Sequence, residues 1–258
     1  MVVSLVPTLN TVLCFVLFYR QRQIEVFPLN TYQGRCRHSV NGCAVISPLV
    51  VSHHLRSEGS VADSEIVGVI DQECNSLLRE IRGKLELGAD ALIIPSDVHD
   101  HLVDKKILSQ SWFVGATGGN ILDPKHVGEF LKLLESGENN SHAGKKTGAA
   151  LFFREHVVSI VKIPVGNNGK FHYDLIDSMP GLVDSLKRKR ATRTRCRDLA
   201  SFESLIRWYS SSKLSESNCK YIDKHDWDDN MADFDPRVFQ AFVWGEANEK
   251  DGKSDASK

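Results

Sequence analysis

Several large protein classes are excluded by what this chain lacks. Its six cysteines (Cys14, Cys36, Cys43, Cys74, Cys196 and Cys219) are scattered, and no two form a CxxC pair. In a chain of 258 residues, that scatter argues for reduced thiols and against a disulfide framework. Neither sign of charge is in excess: 32 Lys and Arg face 33 Asp and Glu, for a net charge of −1. Nothing global therefore pulls the chain toward nucleic acid or an anionic membrane. Long apolar runs are also missing. The uninterrupted N-terminal piece, Val12 to Phe18, falls far short of the roughly 20 residues a membrane span needs. No positive residue precedes that piece, and Pro7, Thr8, Asn10 and Thr11 interrupt its approach. Residues 1–23 thus read as an apolar extension, either a targeting segment or a buried N-terminal element. "GATGGN" (115–120) lacks the Lys-Ser/Thr of a P-loop and reads as a turn. No internal repeat is present, and no cofactor or metal is called for.

What remains is an ordinary globular composition, 41% apolar and 25% charged, with length enough for a sizeable core. The first half reads as helical. A strand over 22–29 ends near Pro28, and "CAVISPLVVSHHL" (43–55) reads as a buried helix with Pro48 in its second turn. Residues 64–87 carry apolar side chains at helical spacing, with Ser64 as the cap. Residues 91–108 predict a short strand, a Pro-Ser break and a helix, and 123–136 a helix entered at Asp123-Pro124. After a polar loop over 137–148 the period changes. Residues 150–165 read as one strand, "GNNG" as a turn and 170–181 as a second strand, which together predict a hairpin. A helix over 198–212, a strand over 236–244 and a disordered, charged tail over 246–258 complete the chain. Helices followed by strands predict an α+β fold, with the main domain over 24–245.

One constellation carries chemistry. Cys43 follows Asn41-Gly42 and opens an apolar run, where a helix N-terminus would stabilise a thiolate. Cys36 is the rival nucleophile, but no helix follows it. A thiol hydrolase also needs a base and a group to orient it. With the hairpin turn at Asn167-Asn168, residues near 156 lie across from residues near 178, so Asp177 returns to His156. His172 is the rival base. It lies at an odd spacing from Asp177, so it should face the other side of the sheet. Gln33 and Asn41 are both available as a side-chain amide for an oxyanion.

These segments resemble a family. "QGRC…NGCAVIS" is similar to the papain-type stretch Q-G-x-C-G-S-C-W-A-F-S, and "HVVSIVK…YDLIDS" is similar to the late hairpin of papain-fold ubiquitin proteases, the Josephin type above all. The resemblance implies a papain-like fold, with a helical half bearing the nucleophile and a C-terminal antiparallel sheet bearing His and Asp. It implies Cys43 as nucleophile, His156 as general base, Asp177 as orienter and Gln33 as oxyanion donor, with Asn41 as the alternative. The implied activity is that of a cysteine peptidase or isopeptidase acting on ubiquitin or a ubiquitin-like conjugate, without a cofactor. Asp177 stands where the papain and Josephin patterns have Asn, and Val157 where an aromatic follows the histidine.

Two other classes stay open. One is a catalytically inactive papain-fold domain that binds a protein. The other is a nucleic-acid or scaffold protein working through "KRKRATRTRCR" (Lys187–Arg197), which otherwise reads as a solvated loop. Acidic residues over 223–235 nearly cancel that run. A metal site from Cys36, His38, Cys43, His53 and His54, or from "DVHDH" (97–101), is less favoured than solvated or packed side chains. The expected compartment is the cytoplasm or nucleus, or a secreted or membrane-anchored location if residues 1–23 are a signal.

Overall fold

A computed structural model of the chain describes residues 9–36, 40–136, 146–166, 169–183, 188–230 and 235–246. The turn expected at Asn167-Asn168, His38, Lys187, residues 231–234, most of the loop assigned to 137–148 and the tail from 247 onward lie outside the described residues.

The core is organised by one buried helix, α2 (Cys43–Arg56), lying on a seven-stranded antiparallel sheet. The sheet is built from β1 (Ile24–Pro28), β2 (Phe113–Asn120), β3 (Thr147–Phe153), β4 (His156–Val165), β5 (Lys170–Val183), β6 (Lys189–Cys196) and β7 (Val238–Gly245). Their order is β1-β6-β5-β4-β3-β7-β2, so the C-terminal strand inserts between β3 and the edge strand β2. Side chains alternate between two apolar clusters, as a pleated strand requires. Ala150, Val157, Val161, Ile176 and Trp244 face α2, while Ala149, Leu151, Val158, Ile160 and Val243 face the opposite layer. With α2 lie α3 (Asp63–Gly68), α4 (Cys74–Lys84) and α5 (Pro95–Asp104). On the other face lie α6 (Pro124–Ser136) and α7 (Leu199–Lys213), against which α1 (Leu9–Arg20) stacks Phe15 on Trp208 at 4.2 Å. A short α8 (Glu216–Ile222) precedes β7. Among the described residues the protein is therefore α+β. The described part of the N-terminal extension is largely a helix docked on α7.

Both ends of α2 are fixed by polar contacts. Ser47 Oγ donates to the Val157 carbonyl at 3.1 Å, and Ser52 Oγ to the Ile107 carbonyl at 2.7 Å. At the C-terminal end the buried Lys146 ammonium bonds the carbonyls of His54 (3.1 Å), Leu55 (3.4 Å) and Ser57, where the negative end of the helix dipole favours a cation. Glu246 balances its charge at 3.1 Å. Burial drives the His54 pKa down to about 4, so this imidazole is neutral, with Nε2 on the Lys162 carbonyl at 3.0 Å.

Several expectations are corrected. The helix expected over 64–87 is a helical run from Asp63 to Lys84 with a π-helical segment, Val69–Glu73, in its middle. Its start is satisfied by Glu65, which accepts from the Ala62 N–H at 2.7 Å, and not by Ser64. No strand forms before Pro95. Arg82 takes the Ala91 carbonyl at 2.9 Å, so that backbone is bonded to a side chain in place of a ladder. "GATGGN" is the body of strand β2 and not a turn. Gly119 sits at φ +139, and a Cβ there would lie 2.8 Å from His126 Cγ, so the missing side chain lets α6 approach. The single strand expected over 150–165 is two strands, reversed at Arg154-Glu155, whose φ values of 54 and 58 make a primed-type turn. The supposed loop over 187–197 is strand β6. Two of its charges are turned inward: Arg193 and Arg195 both bind the buried Asp174, at 2.6 and 2.8 Å, and Arg193 also binds Asp63 at 2.7 Å, whereas Arg188, Lys189 and Arg197 are exposed, Arg197 binding Glu25 at 2.8 Å.

Close approach of α2 to β3 depends on Gly148, where a Cβ would meet Val51 Cγ1 at 2.7 Å. Gly148→Val is expected to lower unfolding stability by about 1–3 kcal/mol through overpacking, read as a lower urea midpoint with an unchanged slope.

Candidate active site

Cys43 is the first residue of α2, and the chain enters through Gly42 with no side-chain cap. The Gly42 carbonyl accepts from Val45 and Ile46 at 2.9 Å, which leaves the Cys43 and Ala44 N–H groups outside the helical ladder. The thiol is only 3% exposed. Burial pushes its pKa up, but the His156 ring beside it outweighs this, helped by the N–H groups of Val157 and Ala44, so the net value lies below that of an ordinary thiol. Cys74 and Cys196, also buried, are pushed up by that burial and by nearby carboxylates, Cys74 to about 12.

His156, the candidate base, follows the Arg154-Glu155 turn and is the first residue of β4. β4 and β5 pair from Ser159↔Ile176 to Val165↔Lys170, and that register returns Asp177 toward His156 as the spacing predicted. His156 Nε2 lies 2.7 Å from Asp177 Oδ1. A carboxylate only accepts, so Nε2 carries the proton and Nδ1 is left as the basic nitrogen. Nδ1 is buried with no hydrogen bond among the described residues, and Cys43 is the thiol coupled to the ring. Burial alone would lower the His156 pKa. Asp177 and then Cys43 overcome that and raise it to about 9.

Asp177 is itself saturated. The Met179 N–H reaches Oδ1 at 2.9 Å, while the Tyr209 hydroxyl and the Lys213 ammonium reach Oδ2 at 2.8 and 3.1 Å. Burial disfavours the anion, but His156, Lys213 and the Met179 N–H hold its pKa far below the usual carboxylate range. Tyr209 and Lys213 are the residues that sequence reasoning missed. Their only signal was an i, i+4 spacing that puts both on one face of α7.

The two amide candidates separate. Gln33 is buried, and its N–H bonds the Ser178 carbonyl at 2.6 Å. Ser178 Oγ donates to Gln33 Oε1 at 3.0 Å, which assigns the other end of the amide as its NH₂ donor. Gln33 is thereby fixed to the residue next to Asp177. Asn41 stands in the left-handed region at φ +54 and donates Nδ2 to the Asp90 carbonyl at 2.7 Å on the exposed side. The rivals lie elsewhere. Cys36 Sγ is directed at the Asp71 carbonyl, 3.8 Å away. His172 on β5 is lowered by burial and by Arg195, away from Cys43. His53 pairs with Glu73 at 2.9 Å, while His54 points inward to the Lys162 carbonyl. Within "DVHDH", His99 lies among Phe113, Phe242 and Trp244, and His101 faces Glu80 at 3.5 Å. Among the described residues no group of three or more His, Cys, Asp or Glu side chains could hold a metal ion, and no helix is long and apolar enough to cross a membrane.

No protein-family model, curated protein or solved structure matches the chain.

Two outcomes are expected. The His156 pKa in the fold exceeds the ordinary 6.5, so its contribution to stability is complete below that pH and is lost as pH rises through about 9. The urea midpoint of wild type should fall across that window more than that of Asp177→Asn, which removes the larger of the two causes that raise the pKa. Tyr209→Phe removes a hydrogen bond to a buried anion and should cost about 1.5–3 kcal/mol. The same change should shift the His156 ring titration in an NMR experiment, which a merely structural contact would leave alone.

Proposed function

We propose that this chain is a papain-like cysteine hydrolase, a peptidase or isopeptidase acting on ubiquitin or a ubiquitin-like conjugate through Cys43, His156 and Asp177. The observation that carries the reading is the His156–Asp177 contact of 2.7 Å beside a thiol of lowered pKa at a helix N-terminus. In this mechanism His156 Nδ1 takes the Cys43 proton, and the thiolate attacks an amide carbonyl. The oxyanion is held by the Cys43 N–H and by Gln33 Nε2. Imidazolium then protonates the leaving amine, and the resulting thioester is hydrolysed by water that His156 deprotonates. Asp177 keeps the proton on Nε2 and stabilises the imidazolium, as the third member of a triad does. No step requires a cofactor. The free thiols Cys14, Cys43, Cys74, Cys196 and Cys219 fit the reducing cytoplasm or nucleus as the working compartment.

A second reading, an inactive papain-fold domain that binds its protein partner, draws on the near-complete burial of Cys43. Labelling with ubiquitin and ubiquitin-like proteins that carry a thiol-reactive C-terminus separates the two. The expected result is an adduct on wild type and on Cys36→Ala, none on Cys43→Ala and a weak one on His156→Ala. Affinity for the same proteins without any adduct on folded wild type supports the binder and rejects the hydrolase. If turnover is found, Gln33→Ala should lower it about 10²-fold or more, as loss of an oxyanion donor does, and Asn41→Ala should not.

A further inference from the structure

The triad leaves the start of β6 without a role. Arg188 and Lys189 there are exposed and Arg190 is half-buried, unlike Arg193 and Arg195 further along the strand, which turn inward onto Asp174. All three line a concavity of about 400 Å³. Its other side is the loop after β1, with Asn30, Tyr32 and Arg35. Four cationic side chains therefore line one pocket, and among the described residues no carboxylate lines it.

Backbone hydrogen bonds hold the two sides together. The Leu29 N–H donates to the Ala191 carbonyl at 2.9 Å, and the Ala191 N–H to the Thr31 carbonyl at 2.8 Å. The loop thus crosses β6 at the residue next to Arg190. Arg35 Nη1 returns to the Asn30 carbonyl at 3.0 Å, which folds the loop into a rim. Asp71 touches this rim: the Thr31 hydroxyl donates to one of its oxygens, and Arg35 lies 3.6 Å from the other. One carboxylate can offset one of the four charges.

We propose that this pocket binds a small molecule carrying two or more clustered phosphate groups. Cations held this close repel one another, and an anion between them relieves that cost. Three of the four are guanidinium groups, whose planar fork matches phosphate oxygens in pairs. One phosphate group brings about −1.5 to −2 charges, so four cations call for more than one. The Asn30 amide and the Tyr32 hydroxyl add donors suited to the same oxygens. An acidic peptide fits less well, because carboxylates on one face of an extended chain stand about 7 Å apart. A nucleic acid needs a continuous basic track, and β6 does not offer one. Arg193 and Arg195 are turned inward, and Arg197, paired with Glu25, lies about 26 Å along the chain from Lys189. Gln33 lies between Tyr32 and Arg35, so a ligand spanning the rim would brace the loop that carries it. The binding itself does not depend on the thiol chemistry.

Calorimetric titration of the full chain at about 0.15 M salt tests this. The probes are inorganic triphosphate, inorganic phosphate, adenosine triphosphate, hexaglutamate and a short oligouridylate. Triphosphate should bind one to one and at least tenfold more tightly than phosphate. Arg35→Gln and, separately, Lys189→Gln should each weaken it at least fivefold. Lys220→Gln, which removes an exposed cation on α8, should change it less than twofold. Urea midpoints without ligand verify that each variant is folded, and Lys189, exposed on the strand, keeps the test valid if Arg35→Gln is unstable. Equal affinity for adenosine triphosphate and triphosphate assigns the phosphate chain alone as the ligand, and higher affinity for the former assigns a nucleotide. Absence of triphosphate binding at millimolar concentration, full affinity in folded Lys189→Gln, or tighter binding of hexaglutamate or oligouridylate overturns the proposal.

Discussion

A single buried carboxylate, Asp177, holds the Cys43–His156 end of this molecule together. Four donors converge on its two oxygens, from His156 on β4, Met179 on β5, and Tyr209 and Lys213 on α7. An anion so enclosed is costly unless every lone pair is met. Here the donors come from both the sheet and the helix layer behind it. The same contacts that make the anion tolerable fix the orientation of the imidazole and dock α7 on the strand end. Removing Asp177 would leave the Lys213 ammonium and the buried Tyr209 hydroxyl without their acceptor. Site and fold are therefore coupled at this point.

The Cys43 thiol is positioned by a different principle. α2 is apolar over most of its length and is enclosed by the sheet and by α3, α4 and α5. A helix in that position presents only its two ends to polar chemistry. At the C-terminal end, Lys146 neutralises the carbonyls and is balanced by Glu246. At the N-terminal end no side chain caps the first turn, so its N–H groups remain available to Cys43 and to an incoming oxygen. Gly148 sets how closely this helix approaches β3, and through Ser47 and Val157 how closely the thiol approaches the strand that begins with His156.

A second buried carboxylate, Asp174, organises the other half of the sheet. It gathers Arg193 and Arg195, and Arg193 reaches on to Ser60, Val61 and Asp63 at the entry to α3. Three residues apart on β5, Asp174 and Asp177 point to opposite faces. One ties the sheet to the α2 layer and the other ties it to α7. Within the basic run, Arg193 and Arg195 are thus structural, because β6 brings them onto a buried carboxylate, while Arg188, Lys189 and Arg197 stay at the surface.

Much of the outline was legible because it depends on local pattern. Apolar spacing defined α2, α6 and α7, and the parity of β5 placed His156 and Asp177 together while turning His172 away. These follow from periods of 3.6 and 2, which the order of residues fixes by itself. The resemblance of Cys43, His156, Asp177 and Gln33 to a papain-type set rested on the same local stretches. What the order of residues could not decide was set by contacts distant along the chain. Arg154-Glu155 reverses direction without a glycine or asparagine, because flanking strands already paired in register supply the energy that turn residues normally would. "GATGGN" becomes a strand because α6 and β7 cover it, and small residues are what that close approach requires. Asn41 gives its side-chain amide to the Asp90 carbonyl, 49 positions away in sequence. Tyr209 and Lys213 reach Asp177 only after α7 docks on the sheet. The sequence by itself determined which residues share a face. Tertiary packing decided which faces meet, because hydrogen-bond partners for buried charge come from whichever elements close over it.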